Sequence, residues 1–587
     1  MIDRELSVMQ QRILEPSVRL VEACPGAGKT RAIVARYRRQ CGAGGSGVAL
    51  LSFTNAAVDQ AHQRASDDPS LLASPNFLGT FDSFLHRFIV TPWLRRTKAV
   101  TPKYLDSWDE LPWTEIRHGT IGGAGLSLSS FSPNVDGDLE YAAEAPESDR
   151  TYVGTLSKAG LSPSQLIPIA KSKVQGFVSA GIFDCDHARV QALSILRNLD
   201  AEWLTNRLGI RFKEIIVDEF QDCSLIEHEI VRALENLGIH VLVVADPDQS
   251  IYEFRRASPA AFVEYKGKLP PDTIVRLNEN YRSSAAICGI VTTMRSIGRD
   301  EIIPKGNFLG RPVAPRVVVA IGSAGHQRRV FGQYMDALGI DWSSSMVLSS
   351  SRIGASDLSG QPRTNERGSG NTGQLIRALA VLRDSRTTSL RKEAMARLSA
   401  LIMVAFDWGD KHKGAGFRER LEVLGLEPAH LNLLIREMIR VSSSWTDRSH
   451  PKISIIQLLT ARFPNPLVPF VALGRRYVVA TPEDWDFWIT PPATDLALNG
   501  LHIHAVKGAE FEAVMLDIPL RKRPKKAHVL DDWESSTVSE ALRVLYVGAS
   551  RARRLLVLAV PPSRSDQTLR ILAANGIELE IHRDPSC

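Results

Sequence analysis

The chain has 587 residues, 44% of them hydrophobic and 23% charged, with a net charge of +6 and a pI near 8.9. That length predicts roughly three to five domains, and the apolar content sets aside a disordered or fibrous chain. The mild basicity permits a polyanionic partner without requiring one. Six scattered cysteines without C-x-x-C spacing argue against a disulfide scaffold or a zinc module. No apolar leader and no run of about 18 apolar residues is present, so a cytoplasmic protein without membrane contact is expected.

The first element is a short helix over residues 6–11. Its Gln10 carries the paired donor and acceptor that can read an adenine edge. An apolar strand then runs into A-C-P-G-A-G-K-T at residues 23–30. This fits the phosphate-binding pattern G-x-x-x-x-G-K-[ST], with Ala23 in the first glycine slot. Gly26 and Gly28 let the backbone curl so that successive N–H groups point at phosphate oxygens. Lys29 is expected at the β- and γ-phosphates and Thr30 on Mg²⁺. The helix that follows turns its positive end to the same anion. Ala23, Cys24, Pro25, Gly26, Ala27, Gly28, Lys29, Thr30 and Arg31 thus form the expected cradle for ATP.

A second buried strand, residues 47–54, leads into a helix over 56–64, and G-T-F-D-S-F at 79–84 starts another. Both junctions fall where strands of an open α/β sheet end and ligands bind. Phe53, Thr54, Asn55, Thr80 and Phe81 suit single-stranded nucleic acid, with hydroxyl and amide donors for phosphates and aromatic faces for bases. Core packing is the competing reading for Phe81 and Phe84. Residues 94–199 read as an inserted subdomain with a loose loop at 119–130 and a helical region over 191–208. The run F-D-C-D-H at 183–187 reads as a solvated helix start, because adjacent helical residues cannot all face one ion.

The strand F-K-E-I-I-V ends in D-E-F-Q-D at 218–222. Asp218 is expected to hold Mg²⁺ and Glu219 to orient or deprotonate the attacking water. Another strand, 239–245, runs into D-P-D-Q-S-I-Y-E-F-R. There Gln249 is placed to sense a γ-phosphate, and Tyr252, Phe254 and Arg255 to meet a polynucleotide. Tyr281 and Arg282 follow the next strand, a pair able to stack on adenine and clamp phosphate. Strands at 316–321 and 345–349 belong to a second parallel sheet joined by a helix over 326–338. Residues 354–373 read as a mobile linker and 374–442 as a second, helical insertion. The sheet pattern resumes at 501–514. The basic run at 521–526 reads as a solvated loop in preference to a phosphate contact. A helix over 540–554 precedes a strand at 555–560.

Taken in order, these motifs resemble the UvrD/Rep-like branch of superfamily 1 helicases over nearly the whole chain. The matching segments are S-F-T-N-A-A-V-D-Q-A-H-Q-R (52–64), G-T-F-D-S-F (79–84), V-D-E-F-Q-D (217–222), A-D-P-D-Q-S-I-Y-E-F-R-R-A (245–257), L-N-E-N-Y-R-S (277–283), H-I-H-A-V-K-G-A-E-F (502–511) and L-R-V-L-Y-V-G-A-S-R-A (542–552), besides Gln10 and the phosphate loop. The resemblance implies that Tyr281 stacks on adenine, that Glu510 approaches the ribose, and that Arg282 and Arg551 are arginine fingers. It also implies that Phe53, Phe81, Tyr252, Phe254, Arg255 and His504 line a single-strand path. Asp82, His502, Ala509 and Arg256 depart from the family pattern, and Asp82 puts an acid near that path. The compact chain, with G-T-F-D-S-F-L-H-R-F-I, is also similar to the helicase-like subunits of Gabija-type anti-phage systems, which implies a separately encoded nuclease partner.

The expected fold is α/β, with two RecA-like motor domains each carrying a mostly helical insertion. The first motor domain spans 1–92 and 200–275, with 93–199 inserted. The second spans 276–355 and 485–587, with a reduced insertion at 356–484. The expected function is a 3′-to-5′ helicase or translocase on single-stranded DNA, with Lys29, Asp218, Glu219, Gln249, Arg282 and Arg551 as its catalytic set. Two rivals are an ATP-gated DNA sensor that regulates a nuclease, and a phosphate-loop ATPase that ignores DNA.

Overall fold

Short apolar segments separated by helical ones build two six-stranded sheets, both parallel throughout. The first uses β1 (Leu20–Ala23), β2 (Gly47–Ser52), β3 (Phe77–Thr80), β4 (Phe212–Val217), β5 (His240–Ala245) and β6 (Ile274–Leu277), in the order β6-β1-β5-β4-β2-β3. The second uses β7 (Arg316–Ile321), β8 (Ser345–Ser349), β9 (Gly500–His502), β10 (Phe511–Asp517), β11 (Ala552–Val560) and β12 (Glu580–Arg583), in the order β9-β8-β10-β11-β7-β12. This computed structural model describes residues 6–585 except 43–44, 112–113, 123–124, 143–145, 147–148, 252–256, 297, 299, 307–315, 361–368, 385–387, 410–416, 491–497, 523–525 and 578.

The central strands are apolar on both faces, as parallel strands covered by helices must be, whereas the edge strand β12 is half exposed. Alternate residues feed different cores. Val48, Leu50, Ile216 and Val244 point into one, and Ala49, Leu51, Ile215 and Val243 into the other. The first of these cores continues without a break into the second sheet, through Val319, Leu348, Leu516 and Leu558. The two sheets therefore share packed apolar surface, and their loops meet over it. Separate cores hold residues 105–174, including Trp108, Phe131 and Tyr152, and the helices over 375–488.

Four readings need correction. Residues 119–130 are not a loose loop in their described part. Leu126 and Leu128 are buried, and Ile116 pairs with Leu126. The first part of 354–373 lies in the helix Arg352–Ser359, capped by Ser351, and 361–368 lie outside the described residues. The run at 183–187 does start a helix, with the Asp184 carboxylate accepting from the His187 N–H at 2.9 Å, but both residues are buried, not solvated. Glu540–Ala549 ends five residues early, because Ala552 already belongs to β11.

The helix α1 (Lys29–Cys41), which carries the phosphate loop, is held down by a buried arginine. Arg36 donates to Glu214 Oε1 on β4 (2.6 Å) and to the carbonyls of Ile13 (2.5 Å) and Glu15 (2.7 Å). Removing one partner of a buried pair strands the other charge, at a cost of roughly 3–5 kcal/mol. Arg36→Met is expected to lower the urea midpoint accordingly, and Arg36→Met with Glu214→Met to recover most of it. A double variant no better than the single one would show that the carbonyl contacts, not the ion pair, hold the helix.

Candidate nucleotide site

β1 delivers the chain into Cys24–Gly28 with Gly26 at φ +70° and Gly28 at φ +74°, conformations that other residues reach only under strain. There is also no room for a side chain. A Cβ at Gly26 would stand 2.8 Å from the Arg282 Cβ, and one at Gly28 would stand 2.7 Å from Gln10 Nε2. The loop is held from two sides. Gln10 Nε2 donates to the Ala27 carbonyl (2.8 Å), Asn280 Nδ2 to that of Pro25 (2.8 Å), and the Tyr281 N–H to that of Gly26 (2.9 Å). Gln10 Oε1 in turn accepts from the Ser7 N–H at 3.1 Å. Both ends of this amide are thus spent on the protein, so it braces the loop in this state.

At the base of the cleft stand Lys29, Asp218 and Glu219. Lys29 Nζ lies 3.7 Å from Glu219 Oε1. Burial works against its charge, but Glu219, Asp246 and Asp218 together raise its pKa above the ordinary value. Burial, then the adjacent Glu219, pushes the Asp218 carboxyl up. Burial acts on Glu219 the same way, yet Lys29 and Lys507 overcome it and hold this acid down. Glu219 also has a left-handed backbone, φ +57°, uncommon for a residue with a side chain. Its Oε2 accepts from Gln221 Nε2 at 2.5 Å.

Thr30, Asp218 and Ser52 line one small cavity. The Ser52 hydroxyl is buried there without a hydrogen-bond partner. A hydroxyl and a carboxylate are hard oxygen donors of the kind a magnesium ion takes, although the cavity between them is otherwise lined by Ile33, Leu50, Val58 and Leu78 and has no room for the ion's waters.

The second sheet closes the cleft. Arg551 Nη2 donates to Gln249 Oε1 at 2.9 Å, and Gln249 Nε2 to Asp246 Oδ2 at 2.8 Å. Arg551 is further fixed by the carbonyls of Val547 (3.1 Å) and Ala509 (3.3 Å). Burial, then the nearby Arg282, pulls its pKa below the ordinary range. Lys507 reaches across to the Asp222 carboxylate and to the Gln249 carbonyl (3.0 Å). Arg543 Nε donates to the Ser250 carbonyl at 2.7 Å and Tyr546 to Asp246 at 3.3 Å.

The expected residues therefore fall into three groups. The loop, Lys29, Thr30, Asp218, Glu219, Gln249 and Arg551 converge on one cleft. Arg282 and Glu510 also border it but occupy each other, Nε to Oε2 at 2.7 Å. Tyr281 offers a half-exposed ring beside the loop, its hydroxyl donating to Glu279 at 2.6 Å. Arg31 lies in the first turn of α1.

The third group is the expected DNA track. Phe53 is partly exposed, but Phe81 is fully buried and stacks on Phe53 at 5.2 Å. In this state Phe81 supports that ring and offers no face of its own. Thr54 and Thr80 cap the helices Asn55–Ala65 and Phe81–Leu85, and Asn55 is exposed. His504 Nε2 meets the Ile251 carbonyl at 2.9 Å. Tyr252, Phe254 and Arg255 lie outside the described residues. Asp82 does not present a bare acid to this surface. Arg189 grips it bidentately, at 2.8 Å to each oxygen. His502 caps the turn at Ile503–Val506 and meets the Ser350 carbonyl at 2.8 Å.

Sequence reasoning missed Lys507, Asp222, Asn280, Arg543 and Tyr546. Lys507 and Asp222 sit inside quoted motifs, so the signal was present, but nothing in one chain says that residues 285 apart meet.

A phosphate-binding loop closed by basic residues from a second parallel sheet defines a nucleotide-binding protein of the two-sheet, phosphate-loop class. Within that class its first 270 residues are similar to the UvrD/Rep-like group. Residues 6–270 match the UvrD/REP helicase N-terminal domain. The chain is 28% identical over 285 residues to the ATP-dependent DNA helicase Rep of Escherichia coli, a match covering 46% of this chain and 39% of Rep. It is 27% identical over 287 residues to DNA helicase II of the same organism, covering 46% and 37%. A shorter match, 41% over 87 residues, is to RecBCD enzyme subunit RecB of Borreliella burgdorferi, covering 15% and 7%. The chain thus matches about two-fifths of the length of the first two relatives. Among the described residues, no helix is long and apolar enough to cross a membrane.

Proposed function

We propose that this protein is an ATP-driven 3′-to-5′ translocase and helicase on single-stranded DNA. In this reading the two parallel sheets are RecA-like motor domains, 1–92 with 200–275 and 276–355 with 485–587, with the first extended to Leu277 by β6. Residues 93–199 and 356–484 are their insertions. The observation that carries it is the contact of Arg551 with Gln249, across the cleft that holds Lys29 and Glu219.

The loop N–H groups and Lys29 bind the triphosphate. Tyr281 stacks on the base. Arg282 leaves Glu510 for the phosphates, which frees Glu510 for the ribose. Thr30 and Asp218 would hold Mg²⁺, which neutralises phosphate charge when bound. Glu219 takes the proton of the attacking water, and Arg551 stabilises charge on the transferring group. Gln249 hydrogen-bonds Arg551 and lies two residues before Ile251, whose carbonyl His504 contacts, so a change at the phosphates reaches Ile251 and, across the cleft, His504. Opening and closing of the cleft then becomes a hinge stroke along DNA.

The buried Phe81 favours a second reading, an ATP-gated DNA sensor that controls a separate nuclease and does not displace strands. ATP hydrolysis with and without single-stranded DNA, beside unwinding of 3′- and 5′-tailed duplexes, separates the two. The motor reading expects stimulation of roughly tenfold or more and displacement of the 3′-tailed strand only, by analogy with partner-assisted hydrolases. Stimulation without displacement selects the sensor. No response to DNA sinks both.

A further inference from the structure

At the opposite end of the first sheet, the helices Thr91–Lys98 and Glu202–Arg211 bring arginines and aromatic rings together. Arg96 lies over the Trp203 ring at 4.3 Å and Arg207 lies near it at 5.9 Å, while Trp93 stacks parallel to the same ring at 6.5 Å. One turn further on, Arg211 and Arg87 flank Phe88 at 4.9 and 5.4 Å. Trp203, Arg207 and Arg211 follow each other at four-residue spacing, so they form one stripe along a helix. Arg87, Arg96 and Arg207 are exposed. Among the described residues, none of the four arginines has a carboxylate within ion-pair distance, and Arg211 Nε is buried without a hydrogen-bond partner.

Uncompensated guanidinium groups this close repel one another, and a surface without function would be expected to place acids between them. The surface therefore fits an anion. The rings decide which kind. Single-stranded nucleic acid is held by bases stacked on open aromatic faces. Here Trp203 is already covered by Arg96 and Trp93, and Phe88 by Arg87 and Arg211. The exposed guanidinium groups of Arg87, Arg96 and Arg207 keep N–H donors suited to phosphate. Arg211 also directly precedes β4, whose far end carries Asp218. At about 3.3 Å per residue, the six residues of β4 put roughly 20 Å between this surface and the cleft.

We propose that this stripe is a second DNA site, which holds the phosphate backbone of duplex DNA independently of the nucleotide cleft. The proposal rests on the DNA-handling reading above, and the test separates the two. Binding of a blunt duplex and of a single strand is measured by fluorescence anisotropy over a salt series, for wild type and for the fourfold variant R87Q/R96Q/R207Q/R211Q. Each duplex phosphate contact contributes about 0.9 to the slope of log K against log salt, so losing four flattens the duplex slope by about 3 to 4. Single-strand affinity and DNA-stimulated ATP hydrolysis stay at wild-type levels. The fourfold Arg→Lys variant keeps the charges and is expected to keep most of the slope, which a merely misfolded surface would not do. An unchanged duplex slope in the glutamine variant overturns the second site. So does a wild type that binds single strands but no blunt duplex. So does loss of both DNA forms together in the lysine variant. A wild type that binds neither form sinks the DNA reading itself.

Discussion

Arg551→Ala is expected to lower the turnover of ATP hydrolysis by about 10³–10⁵-fold while leaving nucleotide affinity nearly unchanged. The size follows from how the side chain is held. Among the described residues its hydrogen bonds are all to neutral acceptors: the Val547 and Ala509 carbonyls, Gln249 Oε1 and the Ser550 hydroxyl. Its charge is therefore oriented but not cancelled by a bonded carboxylate. It is also under pressure, since burial and Arg282 both disfavour it. Negative charge that develops during phosphoryl transfer relieves that pressure, so the interaction strengthens in the transition state. Arg551→Lys should recover little, because one ammonium cannot span the four acceptors that fix the guanidinium. The check is single-turnover hydrolysis beside equilibrium binding of a fluorescent nucleotide. A variant within tenfold of wild-type turnover would remove Arg551 from the catalytic set.

The parts of this site that could be read from the sequence were those set by local chemistry. The phosphate loop needs glycines at two left-handed positions and a lysine and threonine next to them, so Gly26 to Thr30 announce themselves. Asp218 and Glu219 follow a β-branched strand at the edge where such sheets bind ligands. Strands 316–321 and 345–349 were legible to the residue, since their apolar runs are bounded by turns. What stayed hidden depends on pairs far apart in the chain. Asp82 looked like a misplaced acid until Arg189 was seen holding it. Phe81 looked like a base platform because the motif puts it at a strand end. Its burial is set by Phe53 and the surrounding core, which one sequence does not place. Gln10 was legible as an amide near a nucleotide, but its two bonds to the protein were not. The linker over 354–373 failed for a local reason. Its first residues are small, yet Ser351 caps a two-turn helix that small residues do not forbid.

Glu219→Gln is expected to abolish most turnover, by about 10²–10⁴-fold, while nucleotide still binds. Asp218 and Glu219 are adjacent acids whose surroundings pull them apart, which is the pattern that divides roles between two carboxyls. Burial and Glu219 favour the neutral form of Asp218, whereas Lys29 and Lys507 keep Glu219 ionised. As it stands, Glu219 is a weak base, because two ammonium groups 3.7 Å away stabilise its charge. A bound triphosphate competes for Lys29. The more that lysine turns to the phosphates, the less it stabilises Glu219 and the more strongly this carboxylate accepts a proton. The base is thus strengthened by the substrate it serves, and an empty cleft stays quiet. Glutamine has nearly the same shape and can still accept the Gln221 N–H at its carbonyl oxygen, but it cannot take the proton. The loss should therefore fall on kcat, with binding of fluorescent ATP preserved and DNA bound but not travelled. If the variant keeps more than about a tenth of wild-type turnover, water is being deprotonated elsewhere, and Glu219 serves only to orient it.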